Sequence, residues 1–151
     1  MTIETRPLFT IRIKTAAPQL LGRTPFGDRR VVQVLSGEFE GDRLCGTVEP
    51  GGSDWILIRP DGAAQLDVRL TLKTDDGALI GMTYRGVRHG PAAVMDRLNR
   101  GEAVDPSSYY FRIAIRFETS DPDLAWLNRV LGVGVGQRPP AGPTYDVYVV
   151  R

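Results

Sequence analysis

The chain of 151 residues has the length of one domain, and we expect residues 1–151 to form a single domain. Its 19 basic and 18 acidic residues leave a formal charge of +1, so no overall field favours nucleic acid or an anionic membrane. The single cysteine, Cys45, excludes an internal disulfide. No signal pattern is visible, and no apolar run approaches the roughly 18 residues of a membrane span, so we expect a cytoplasmic protein.

The first half of the chain is predicted to be a series of β-strands. Glycine and proline recur about every ten residues, which is the spacing of turns in all-β domains. Residues 22–28 contain three strand breakers and are predicted to be a loop. Alternating or β-branched segments between the turns predict strands at 9–14, 30–39, 44–48, 55–58 and 64–74.

The second half adds four strands and one short helix. A strand over 78–84 is followed by a loop containing Arg88 and His89 and then by a helix over 91–100, which begins with proline and is stopped by Gly101. Strands are predicted at 109–118, 130–135 and 145–150, with about one helical turn over 121–128. The glycines at 132, 134 and 136 are interpreted as strand residues that permit close packing. The pattern favours a single antiparallel β-barrel of about eight or nine strands.

Two predicted strands have one apolar and one polar face. The strand over 64–74 alternates leucine and valine with charged residues, and the strand over 109–118 does the same with aromatic residues and isoleucine. In one arrangement the apolar faces are inside and the charges are solvated. In the other, the barrel is covered from outside and has a polar lumen. Four side chains would then face one another across a cavity: Asp67, Arg69, Tyr110 and Arg112.

Such a set of side chains suits proton transfer without a cofactor or a metal. Asp54 or Asp67 would act as the base, Tyr110 as the proton donor, and Arg69 and Arg112 as clamps for a carboxylate or enolate oxygen. Alternatively, Asp54 is a turn residue. Trp55 is either a ligand contact or a core residue, and Cys45 is interpreted as a core residue. Tyr84, at the end of its strand, is either part of the rim of a pocket or a solvated strand end.

A set of motifs spread over nearly the whole chain resembles the DUF3237 family, also called UPF0311. The motifs are Pro7-Leu8-Phe9, Gly37-Glu38-Phe39-Glu40-Gly41, Pro50-Gly51-Gly52-Ser53-Asp54-Trp55, Arg59-Pro60-Asp61-Gly62, Leu66-Asp67-Val68-Arg69, Thr74-Asp75-Asp76-Gly77-Ala78, Tyr109-Tyr110-Phe111-Arg112, Phe117-Glu118-Thr119 and Trp126-Leu127-Asn128-Arg129. The resemblance implies a compact β-barrel of bacterial and fungal proteins whose function is unassigned, and it supplies no catalytic residues.

Two hypotheses for the function remain open. The first is a homo-oligomeric barrel with a small-molecule pocket, acting as a cofactor-independent isomerase, cyclase or lyase on a carbonyl-bearing or aromatic metabolite. The second is a non-catalytic small-molecule carrier or a protein-interaction scaffold with the same fold. Whether the interior is open or filled distinguishes them.

Overall fold

The computed structural model describes all 151 residues. It contains one α-helix, α1 (Ala92–Asn99), and two 3-10 helices, Pro106–Ser108 and Pro122–Arg129. No helix is both long and apolar enough to cross a bilayer. The rest of the regular structure consists of ten strands: β1 (Thr5–Thr15), β2 (Gln19–Thr24), β3 (Gly27–Glu40), β4 (Cys45–Val48), β5 (Ser53–Ile58), β6 (Ala64–Thr74), β7 (Leu79–His89), β8 (Tyr110–Glu118), β9 (Leu131–Gln137) and β10 (Thr144–Val150).

The strands form one antiparallel sheet that closes into a barrel. Strands β6, β7, β8, β9, β10 and β1 are neighbours in that order, and β1 also pairs with the second half of β3. Between β3 and β6, strands β4 and β5 lie end to end and share one position. The barrel therefore has eight strand positions, and β2 is an additional strand on the first half of β3. An interior of this width holds side chains or one small ligand.

The apolar faces of the strands fill the interior. Along β6 and β8 every second residue is buried and its neighbours are exposed. One end of the barrel is closed by aromatic packing, in which the rings of Phe39 and Phe117 lie 5.2 Å and 6.3 Å from that of Phe9. The 3-10 helix that follows β8 adds the fully buried Leu127 to the same core. The opposite end, where β7 leads into α1, has polar residues in its interior.

The predicted antiparallel barrel with one short helix is confirmed, and α1 lies within the predicted helix. The glycines of β9 are strand residues, as predicted. A Cβ at Gly134 would lie 2.6 Å from the Ile113 side chain, and one at Gly136 would lie 2.6 Å from the Phe111 ring. These glycines therefore make room for the large interior residues of β8.

Two local predictions are wrong. Residues 22–28 form a β-hairpin rather than a loop, because the breakers are confined to a bulge at Gly22 and to the turn before Gly27. The sixth predicted strand ends at Tyr84, whereas β7 continues to His89. Residues 85–88 extend the sheet because each is paired with both β6 and β8, and His89 is paired with β8. This extension brings Arg88 into the barrel.

Candidate functional site

Five ionisable side chains surround a small cavity at the second end of the barrel. The other walls are Thr15 and apolar residues such as Val34, Leu66 and Phe111. The cavity has a volume of about 30 Å³, which is close to the volume of one water molecule in the liquid. The ionisable residues come from four parts of the sheet: Asp54 on β5, Tyr84 and Arg88 on β7, Arg138 immediately after β9, and Tyr145 on β10.

Asp54 points inward because of its position in the sheet. It pairs with Val32 and Val68, which are both buried, while the next residue, Trp55, points outward and is 49% exposed. The Asp54 carboxylate accepts one hydrogen bond, from the backbone N–H of Asp67 at 3.2 Å. The strand therefore places a carboxyl group among apolar neighbours with a single hydrogen-bond donor.

The environment of Asp54 favours its protonated form. Burial raises the pKa of Asp54 from the ordinary 3.8 to about 7. The backbone hydrogen bond and the positive charges of Arg88 and Arg138 lower this pKa, but they do not overcome the loss of hydration. A carboxyl group with a pKa near neutrality can both accept and return a proton at the pH of the cell.

Two arginines contribute positive charge without a counter-ion. Arg88 is only 6% exposed, its guanidinium carbon lies 5.2 Å from the centre of the Phe111 ring, and its Nε has no hydrogen-bond partner. Arg138 is half-buried, and its backbone N–H donates to the hydroxyl of Tyr109 at 2.8 Å. Burial lowers the pKa of both arginines. The ion pairs of the protein all lie elsewhere, so neither arginine is matched by a carboxylate.

Two buried tyrosines complete the cavity. Tyr145 is fully buried, and its hydroxyl interacts with that of Tyr84 but makes no hydrogen bond of normal length. Its ring packs edge to face against Tyr84 and Phe111, with centroids 5.3 Å apart in each pair. Burial raises the pKa of Tyr84 and of Tyr145, so both hydroxyls remain protonated and can donate a hydrogen bond.

This cluster combines a proton acceptor, two cations and hydroxyl donors in one dry space. A buried polar group without a partner costs about 1–3 kcal/mol, and a buried charge costs more. Those groups would be satisfied by an oxygen atom carrying full or developing negative charge. No group of three or more histidine, cysteine, aspartate and glutamate side chains is arranged to hold a metal ion. The arrangement therefore suits an oxygen anion rather than a metal ion.

Only one of the six predicted site residues lies in this cavity. Asp54 is there, but the other five lie on the outer surface: Trp55, Asp67, Arg69, Tyr110 and Arg112. The arrangement with a polar lumen is thus wrong for β6 and β8. Their leucine, valine, isoleucine and aromatic residues fill the barrel instead, because burying these apolar side chains stabilises the fold while the charges keep their water.

Four of the outward residues share an open surface groove of about 780 Å³: Trp55, Asp67, Tyr110 and Arg112. Arg112 and Asp67, the charged residues of the predicted site in this groove, both have partners within the protein. Arg112 lies 5.0 Å over the Tyr110 ring and donates to a backbone carbonyl at 2.9 Å, and Asp67 lies 3.7 Å from Arg85. The groove is larger than the internal cavity, but it contains no buried, unpartnered polar atom.

The burial of three residues differs from that predicted from the sequence. Trp55 and Cys45 are not core residues, since both are exposed, and the Cys45 thiol donates to Asp75 at 3.0 Å. Tyr84 is not a solvated strand end, since it is 4% exposed. Trp55 and Cys45 point to the outer side of their strands rather than to the interior, and Tyr84 lies in the middle of β7 rather than at its end.

Arg88, Arg138 and Tyr145 are the site residues that sequence reasoning missed. Arg88 and Tyr145 do have a signal, because each continues the alternation of buried residues in its own strand. An arginine at the buried phase of a strand indicates a functional position when the strand is assigned its full length. No pattern marks Arg138, which follows the end of β9.

Fold and site together define a small closed β-barrel with a polar cavity at one end of an apolar interior. The chain belongs to the family "Protein of unknown function (DUF3237)", whose sequence model matches residues 3–150. The resemblance seen in the sequence is therefore confirmed. Among curated relatives, a UPF0311 protein of Rhodopseudomonas palustris is 38% identical over 99% of this chain and 97% of its own length. A UPF0311 protein of Clostridium acetobutylicum is 34% identical over 95% of this chain and 91% of its own length.

Solved structures show the same fold. The crystal structure of the Rhodopseudomonas palustris protein, described as of unknown function, has a TM-score of 0.94 at 37% identity and covers 100% of this chain and 99% of its own. A β-barrel-like protein of Acinetobacter baumannii has a TM-score of 0.88 at 38% identity and covers 100% and 98%. An enzyme from Penicillium herquei has a TM-score of 0.75 at 19% identity and covers 100% and 96%, which shows a shared fold.

Proposed function

We propose that the protein is a cofactor-independent enzyme that moves a proton on a small carbonyl-bearing or aromatic metabolite bound at the internal cavity. One observation supports this most directly. Asp54, with a pKa raised to about 7, faces Arg88 and Arg138, which have no anionic partner, inside an otherwise apolar barrel. Isomerisation, cyclisation and lyase steps are the reactions that these groups can perform alone.

The roles of the residues follow from their chemistry. Ionised Asp54 accepts a proton from the carbon next to the carbonyl, and the electron pair of the broken C–H bond forms an enolate. The enolate oxygen is stabilised by Arg88 and Arg138, and the free hydroxyl of Tyr145 donates to it. Protonated Asp54 then returns the proton to a different carbon. In a lyase step the enolate electron pair instead forms a C=C bond and expels a leaving group from the adjacent carbon, and that group takes the proton from Asp54. No redox partner is needed, since electrons and protons stay within the substrate and Asp54.

The size of the cavity limits how a substrate can bind. Pockets for drug-sized ligands are about 300–1,000 Å³, whereas this cavity is about 30 Å³. Only the reacting end of a metabolite therefore fits between Asp54 and the arginines, with the rest at the mouth of the barrel. Arg138 is the half-buried side chain at that mouth, and its outward rotation would admit a larger group.

The fold is compatible with catalysis, because the Penicillium herquei protein of the same fold is described as an enzyme. The residues of the site, and not this fold-level likeness, support the proposal. Binding without chemistry at the same cavity would instead indicate the carrier function.

Hydrogen–deuterium exchange on carbon tests the proposal. Carbonyl compounds and phenols that raise the melting temperature would be incubated with the protein in D₂O at pH 7.5, and loss of the C–H signal would be followed by NMR. We expect exchange with the wild type and at least a 100-fold slower rate with Asp54→Asn, since general-base catalysis contributes about 10²–10⁴-fold. Asp67→Asn, which changes an exposed carboxylate on the adjacent strand, is the matched control and should retain the rate.

Three outcomes would contradict the proposal in different ways. Ligands that bind without exchange would make the protein a carrier. Exchange that survives Asp54→Asn would place the base elsewhere. Binding that is lost with Arg112→Ala but not with Arg88→Met would move the site to the outer groove.

A further inference from the structure

The internal cavity has an excess of positive charge. Its charged residues are two arginines and one carboxyl group, and the two tyrosines are neutral. Arg88 is nine-tenths buried, and its Nε has no hydrogen-bond partner. Tyr145 is fully buried, and its hydroxyl makes no hydrogen bond of normal length. The cavity therefore has two cations for one carboxyl group, and it has donors that a further negatively charged acceptor would satisfy.

We propose, on the basis of the function proposed above, that the cavity binds a small monoanion, a carboxylate or an enolate-like phenolate, between Arg88 and Arg138, and that its binding transfers a proton from solvent to Asp54. The anion supplies the missing acceptor for the guanidinium groups and for Tyr145. A planar carboxylate matches the fork of a guanidinium group, which makes arginine the suitable cation here.

Asp54 takes up a proton because the bound anion and the Asp54 carboxylate compete for Arg88 and Arg138. In the free protein the charges of Arg88 and Arg138 help to keep Asp54 ionised. A bound anion takes over those interactions and repels a second negative charge a few ångströms away in a dry site. Asp54 then holds a proton, as one member of a pair of carboxylates that share a site does.

No other group around Asp54 takes up a proton near neutral pH when an anion binds. Arginine keeps its charge in proteins, and burial raises the pKa of both tyrosines. On the outer side, Asp67 contributes its backbone N–H and a nearby negative charge. The charged and titratable groups that face Asp54 from the neighbouring elements are Asp67, Tyr84, Arg88, Arg138 and Tyr145.

This bound state has the charge distribution of the reaction intermediate. After proton abstraction from a neutral carbonyl substrate, Asp54 is protonated and the enolate oxygen is negative. A carboxylate or phenolate bound next to protonated Asp54 reproduces both features. Such anions should therefore bind more tightly than neutral amides or ketones of the same shape, as analogues of an intermediate do.

The test compares matched anions and neutral compounds across pH. Affinities for acetate and benzoate, and for acetamide and benzamide, would be measured by NMR titration and calorimetry from pH 5.5 to 8.5. We expect benzoate to bind at least ten times more tightly than benzamide at pH 6. Its dissociation constant should increase about 30-fold from pH 5.5 to 8.5, because only the protonated fraction of a group with a pKa of about 7 accepts the anion. Calorimetry in two buffers should show uptake of about half a proton at pH 7.

Variants assign the effect to individual residues. Asp54→Asn should bind benzoate with one affinity at all these pH values, close to that of the wild type at pH 5.5. Arg88→Met should weaken benzoate binding at least tenfold, whereas Arg112→Ala on the outer surface should leave both the affinity and the pH profile unchanged.

The outcomes separate this inference from the function proposed above. If benzamide and acetamide bind as well as the anions while carbon exchange still requires Asp54, the enzyme proposal stands and the anion site is refuted. If benzoate binds with a flat pH profile, or the profile persists in Asp54→Asn, the proton is not taken up by Asp54. If the anions bind as expected but no carbonyl compound exchanges, the cavity is an anion-binding site without this catalysis. If none of the four probes binds, the anion site is overturned.

Discussion

The replacement of Asp54 by asparagine should change the pH dependence of stability in a predictable direction. The pKa of Asp54 is raised from 3.8 in an unfolded chain to about 7 in the folded protein. Between these two values the folded state binds more protons than the unfolded state, so its stability falls as pH rises. Each unit of difference corresponds to about 1.36 kcal/mol, so the ionised carboxyl group destabilises the fold by at most about 4 kcal/mol above pH 7.

Asparagine has the same shape and no charge, and its oxygen can still accept from the Asp67 N–H. We therefore expect Asp54→Asn to match the wild type near pH 4, and to be more stable by up to about 4 kcal/mol above pH 7.5. For a chain of this length, that corresponds to a melting temperature higher by roughly 8–16 °C. Urea unfolding of both proteins at steps of half a pH unit measures the difference in their free energies of unfolding. The contributions of all other titrating groups are the same in both proteins and cancel in this difference.

The opposite result would refute this reasoning. If Asp54→Asn is less stable than the wild type at pH 8, the ionised carboxylate is stabilised by Arg88 and Arg138, and the three residues form a structural ion-pair cluster. A difference that does not vary with pH would show that Asp54 titrates equally in both states. The control is Asp67→Asn, for which a change under about 0.5 kcal/mol is expected because the residue is exposed.

Three further substitutions test other parts of the structure. Arg88→Met removes a buried charge without an ion-pair partner, and should raise stability in thermal unfolding by about 1 kcal/mol or more while abolishing anion binding. Tyr109→Phe removes the acceptor of the 2.8 Å hydrogen bond from the Arg138 N–H. It should lower the free energy of unfolding by about 0.5–1.5 kcal/mol and weaken anion binding. Unchanged anion binding would show that this hydrogen bond does not position Arg138. Gly134→Ala places a Cβ 2.6 Å from the Ile113 side chain and should lower the free energy of unfolding by about 1–3 kcal/mol. Gly81→Ala is the control, because the nearest atom to its Cβ would be 3.5 Å away, and it should change stability little in the same urea assay.

The barrel is predictable from sequence because its signals are local and repeated. The alternation in β6 and β8 gives the strands and their two faces, and the turns between them give antiparallel hairpins. The helix over 92–99 has its proline start and its glycine stop in the sequence. Closure through the β1–β10 pairing joins the two ends of the chain, such as Thr5 and Val150, and cannot be derived from either strand alone.

The site is less predictable because it breaks the rule that predicts the fold. Period-2 patterns assign charged residues to solvent, and this is correct for Asp67, Arg69 and Arg112. The same rule fails for Arg88, which occupies an interior position between Ala64 and Phe111. Asp54 is recognisable in the sequence because it stands at the start of a strand after two glycines. Arg88 is recognisable only when β7 is extended to His89.

The stability cost of the cluster is itself an argument about its role. A domain is typically stable by only about 5–15 kcal/mol, and an ionised Asp54 alone removes up to about 4 kcal/mol of that above pH 7. Arg88 adds the cost of a buried cation with a free Nε, and Tyr145 that of a free hydroxyl. Apolar residues would fill this end of the barrel more favourably, as aromatic residues do at the other end. A purely structural role does not account for three costly groups around one cavity, whereas a negatively charged ligand would accept hydrogen bonds from Arg88, from Tyr145 and from protonated Asp54.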